Sequence, residues 1–72
     1  MDIFNFLRKA IHDLVGTPEE DIRPESTPDE LNLDLFDVEE LVLDVENEYD
    51  VYLPDDTHFD TVGELAQKVA AA

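Results

Sequence analysis

Seven carboxylates fall within fifteen residues, at Asp34, Asp37, Glu39, Glu40, Asp44, Glu46 and Glu48, the densest set of chemically active groups in the sequence. Paired carboxylates do general acid–base work when burial pushes their pKa values apart. A chain of 72 residues builds one small core and no cleft that would desolvate them, so the chemistry left to them is attraction of Arg and Lys. A calcium loop needs alternating oxygen ligands with glycine at its sixth place and glutamate at its twelfth, and no stretch supplies that pattern; clustered acids bind divalent ions only loosely. His12 and His58 lie far apart, without a His-x-x-x-His spacing or any cysteine, which leaves no zinc set. Ser26 and four threonines are the hydroxyl nucleophiles, and none stands in a triad or nucleophile-elbow context. The residues predict a protein that is not an enzyme.

Twenty Asp and Glu against four Lys and Arg give a formal charge of −16. Such a surface repels nucleic acid and anionic headgroups and attracts basic proteins. The distribution sharpens this: fifteen acids and no Lys or Arg lie between Pro24 and Gln67, more charge than solubility requires. With 43% hydrophobic residues a packed fold is feasible. The absence of cysteine leaves packing alone to hold it. No apolar run approaches the length of a membrane span. Asp2, Arg8, Lys9 and Asp13 interrupt what would be the apolar stretch of a signal peptide, so a cytoplasmic, monomeric protein is expected.

The elements that must position these groups are helical. Ile3, Phe4, Leu7, Ala10, Ile11, Leu14 and Val15 recur every three or four residues and predict an amphipathic helix from Ile3 to Val15, capped by Asp2 and ended by Gly16. Pro18, Pro24 and Pro28 make the stretch to Asp34 a long ordered loop, pinned by Ile22, Leu31 and Leu33. Within it Thr27-Pro28-Asp29-Glu30 can open a single helical turn. Leu35, Val38, Leu41, Val42, Val45 and Tyr49 form the stripe of a second helix, flanked by Asp37, Glu40, Asp44 and Glu48. Asp50 to Pro54 breaks it and supplies Val51 and Leu53 as core plugs; Phe59 covers the core from an irregular turn. Thr61 to Glu64 has the capping-box spacing, and Val62, Leu65, Val69 and Ala70 share a face of a last helix running to about Ala71. The whole chain, 1–72, is expected as one all-α domain: a small antiparallel bundle of three to four helices with a long first loop.

The order of these parts resembles the acyl carrier protein family over nearly the whole chain. Glu40-Leu41-Val42-Leu43-Asp44-Val45-Glu46-Asn47-Glu48-Tyr49-Asp50 is similar to that family's acidic second helix, and Val51-Tyr52-Leu53-Pro54-Asp55 to the extended exit that follows it. Thr61-Val62-Gly63-Glu64-Leu65 resembles the start of its last helix. Glu20 to Leu31, with Ser26 and Leu31, resembles its long first loop. The segment between Pro54 and Thr61 is about two residues shorter than is usual in the family, which puts the family's third helix in question here.

The resemblance implies a phosphopantetheine arm esterified to the serine of an Asp-Ser-Leu motif at the start of the second helix. Counting back from Glu40-Leu41-Val42, that motif falls on Asp34-Leu35-Phe36, so the serine position holds Leu35. A leucine has no hydroxyl to attack coenzyme A, and no phosphopantetheine is expected. Ser26, followed by Thr27 and Pro28 and nine residues upstream, reads instead as a loop residue making local backbone hydrogen bonds. The expectation is a carrier-like domain without its arm that docks onto Arg/Lys-rich patches of partner proteins, such as synthases or transferases of fatty-acid, polyketide or related biosynthesis. Asp34, Asp37, Glu40, Asp44 and Glu48 would steer the partner, and Leu35 with Phe36 would anchor it, unless both turn inward and complete the core. Three alternatives stay open: a carrier whose serine was replaced, by engineering or divergence; a carrier that holds its ligand non-covalently; and a polyanion mimic.

Overall fold

Asp2 accepts a hydrogen bond from the Phe4 amide at 3.1 Å and starts helix α1, Ile3–Val15. Gly16 ends it in the left-handed region, at φ 81°, where its amide reaches the His12 carbonyl at 2.8 Å. Asp34 and Asp37 hold each other's backbones in a capping box that opens α2, Leu35–Tyr49. Asp50 closes α2 at φ 53°. Thr61 caps α3, Val62–Ala71, accepting from the Glu64 amide at 3.2 Å. The Glu64 carboxylate does not complete a capping box; it accepts instead from the Asp60 amide at 3.0 Å, tying down the residue before the cap. The computed structural model describes residues 2–54 and 57–72.

The three helices form a bundle around Leu7 and Ile11 of α1, Leu41 and Val45 of α2, and Val62, Leu65 and Val69 of α3, all buried. The expected stripes differ at two edges. Leu35 does not join the core: ten residues from Val45 at about 100° each place it roughly 80° round the helix, and its side chain is exposed. Ala70 is likewise exposed, and Ala66, one turn on from Val62, packs against the core instead.

The long first loop is a structural element in its own right. Ile22, Leu31 and Leu33 are buried, so the three apolar side chains do pin it. A short 3-10 turn, Glu19–Asp21, follows Pro18 and had no apolar signal to announce it. The Thr27 turn forms as expected: Thr27 Oγ1 accepts from the Glu30 amide at 3.2 Å, Glu30 Oε1 accepts from the Thr27 amide at 3.0 Å, and the Leu31 amide donates to the Thr27 carbonyl. Asn32, at φ 62°, stops it after one turn.

At its elbow the loop closes onto α3. The Val62 amide donates to the Ser26 carbonyl at 3.0 Å and the Gly63 amide to the Pro24 carbonyl at 2.8 Å, so two otherwise orphaned donors of the helix start are satisfied. A Cβ on Gly63 would lie 3.0 Å from the Pro24 oxygen, which explains the glycine. On the opposite side Glu46 Oε2 accepts from the Leu53 amide at 2.7 Å and fastens the extended exit to α2. Residues 57–60 form no helix, and Phe59 is buried from an irregular segment; Asp55 and Asp56, part of the exit and of the shortened segment, lie outside the described residues.

Candidate functional site

The start of α2 combines a tight backbone with side chains that face water. Asp37 donates its amide to Asp34 Oδ1 at 2.8 Å, and Asp34 donates its amide to Asp37 Oδ2 at 3.2 Å. Both carboxylates therefore hold the helix start and offer only their remaining oxygen valences outward. Leu35 and Phe36, the first two residues of the helix, are 70% and 76% exposed, so the inward alternative for this pair does not hold. Leu43, two turns beyond Phe36 on the same line, is 54% exposed and extends the apolar strip. The core-side period of α2 does not point to it; its signal in the sequence is the seven-residue interval from Phe36.

The seven residues expected at the docking face do not share one face. At about 100° per residue, Asp37, Asp44 and Glu48 lie on the flank toward α1, and Asp44 and Glu48 border the groove between α1 and α2. Phe36, Glu40 and Leu43 form the outward crest. Leu35 lies on the other flank with Glu39 and Val42, beside a groove of about 400 Å³ that Leu53 and Phe59 also line. Asp34 stands at the cap. Three strips thus run along α2, acidic, mixed and apolar in turn.

No salt bridge reaches the acids of α2 among the described residues, where the one such pair within 4 Å is His58 Nε2 with Asp60 Oδ1 at 2.8 Å. His12 is occupied elsewhere, its Nδ1 2.9 Å from the Thr17 carbonyl, so the two histidines make no joint site. The described residues hold no group of three His, Asp or Glu placed to share a metal ion. Ser26 is buried, and its Oγ accepts from the Arg23 amide at 3.0 Å, the local role expected of it. Tyr49 packs edge-on against Phe6, ring centroids 5.7 Å apart. Its hydroxyl is shut away from water and has no partner among the described residues, and burial, with Glu48 and Asp2 nearby, raises its pKa above the ordinary value of 10.

No described helix is long and apolar enough to cross a membrane. No family model matches the chain. It is 30% identical over 69 residues to an acyl carrier protein of Streptococcus thermophilus, covering 96% of this chain and 93% of that one. To an acyl carrier protein of Chlorobium luteolum it is 36% identical over 55 residues, 69% of this chain and 70% of that relative.

Proposed function

The chain belongs to the acyl carrier protein family, whose members carry rather than catalyse, and on that premise we propose that it is an armless member acting as an acidic protein-docking module. In this reading Leu35 occupies the attachment position at the first residue of α2, where an aliphatic side chain offers no oxygen to esterify. The one other candidate, Ser26, is buried with its oxygen engaged, so the residues present do not fit a phosphopantetheine group.

The observation that carries the reading is the exposed Leu35–Phe36 pair, with Leu43 behind it, in a stretch rich in acids and devoid of Lys and Arg. Exposed apolar side chains rimmed by one sign of charge suit a hot spot surrounded by steering groups. Asp34, Asp37, Glu40, Asp44 and Glu48 draw in an Arg/Lys-rich patch, and Leu35 and Phe36 seat against it. The partners are biosynthetic synthases or transferases of the fatty-acid or polyketide kind, met by a monomer in the cytoplasm rather than by a nucleic-acid or membrane binder. A second reading, non-covalent carriage of a ligand, draws on the 400 Å³ groove beside Leu35.

Incubation with coenzyme A and a broad phosphopantetheinyl transferase is expected to leave the protein mass unchanged, while Leu35→Ser gains the arm. Labelling of the unaltered chain would refute the armless assignment. Native mass spectrometry separates the two readings: a docking module flies without a small molecule, and a non-covalent carrier retains one that denaturation releases.

A further inference from the structure

The groove between α1 and α2 is distinct from the Leu35–Phe36 strip in position and in composition. Phe6, Ala10 and Leu14, four residues apart on α1, form its floor and are only half-buried. Asp13 and Glu19 stand on one wall and Asp44 and Glu48 on the other, around an opening of about 610 Å³. Lys9 is the one basic residue that borders it, and among the described residues no ion pair within 4 Å joins Lys9 to any of the four carboxylates. The chain thus leaves an apolar row open between two acidic walls.

A row of side chains at four-residue spacing is the ridge that a second helix packs against. The floor calls for an apolar face, and the walls call for positive charge on both sides of it. An anionic membrane surface is repelled by the same walls. A second copy of this chain, at −16 with four basic residues in all, brings too little positive charge.

We propose that the α1/α2 groove binds a basic amphipathic helix of another protein as the fourth helix of the bundle. Its apolar face lies along Phe6, Ala10 and Leu14, and its Lys or Arg side chains sit over Asp13 and Glu19 on one side and Asp44 and Glu48 on the other. Asp44 and Glu48 are shared with the steering acids of the Leu35–Phe36 surface, whereas Asp13 and Glu19 border the groove alone, so variants at Asp13 and Glu19 and at Phe36 tell the two sites apart.

The test titrates the isotope-labelled full chain with an amphipathic Leu/Lys peptide of about 16 residues, long enough to hold a helix when docked, beside a scrambled peptide and a Leu/Glu peptide of the same pattern. Amide shifts are expected over residues 5–14 and 44–48, with affinity that falls as salt rises and with little binding by either control. The double variant Asp13→Asn/Glu19→Gln, checked for an unchanged melting temperature, should bind about fivefold more weakly, two partly exposed charge pairs having been lost. Phe36→Ala should bind as the parent does. Shifts confined to residues 35–43, equal binding by the scrambled peptide, or an undiminished affinity of the double variant would each overturn the proposal; the first of these would favour the Leu35–Phe36 surface instead.

Discussion

The first loop and helix α2 exchange the roles that regular and irregular structure usually take. The loop has hardly any repeating backbone, yet Ile22, Leu31 and Leu33 are buried and the peptide groups at its elbow are bonded to α3. The helix has an unbroken backbone, yet Leu35, Phe36 and Leu43 stand in water and its acids lack basic partners among the described residues. Backbone regularity and core duty are therefore separate properties. A helix satisfies its own peptide groups, which leaves most of its circumference at liberty for recognition. A loop must be anchored by side chains and partners or it would not be ordered.

Truncating an apolar residue in each region tests this contrast most severely. Leu31→Ala in the loop should lower stability by about 2–5 kcal/mol, as for a buried leucine in any core, whereas Phe36→Ala in the helix should change it by about 0.5 kcal/mol or less and hasten dissociation of a bound partner. Urea unfolding of both variants decides it; equal losses would erase the distinction between the regions.

A smaller effect is expected from the charges. Glu40→Gln, Asp44→Asn and Glu48→Gln together should keep or raise the melting temperature, because like charges on the helix surface destabilise it by a few tenths of a kcal/mol per pair. The same triple change should slow association with a basic partner and flatten its salt dependence. Asp37 is left intact because its carboxylate holds the Asp34 amide. An association rate and salt slope equal to the parent's would reduce the acids to a solvated surface.

The smallest effect is at the far end of α2. Since the Tyr49 pKa is raised in the folded protein, the native state binds this proton more tightly than the unfolded one. The associated stability is full below pH 10 and is lost as pH rises through the folded pKa. Tyr49→Phe should remove that alkaline loss and be close to neutral at pH 7, where the hydroxyl has no partner to lose among the described residues. Melting curves of parent and variant between neutral pH and pH 11 measure it; a parallel alkaline decline in both would assign the loss to other groups.

The caps were the most legible part of the sequence. Asp2, Gly16 and Thr61 sit where their side chains or conformations predict, and both ends of α1 and the start of α3 follow from them; the Asp34–Asp37 capping box that opens α2 is a finding of the structure. Three features were not legible. The 3-10 turn at Glu19–Asp21 has three acids and no apolar period, and only Pro18 hints at it. Leu35 fits a helical stripe by spacing, and its exposure depends on how far round α2 its neighbours reach. The division of the docking residues among three strips has the same origin: a list of acids along a helix gives their angles, and only the packing of α1 and of the 53–59 segment says which angles face a groove.

The bonds from Val62 and Gly63 back to Ser26 and Pro24 join positions 36 and 39 residues apart along the chain. They turn the first loop, α2 and the exit into one closed ring, whose closure entropy has to be met before the contact returns anything. Opening is tied in the same way. Unwinding the first turn of α3 frees the Ser26 and Pro24 carbonyls at the elbow of the loop, so hydrogen exchange at these two distant stretches is expected to be correlated in time rather than to occur as two local events.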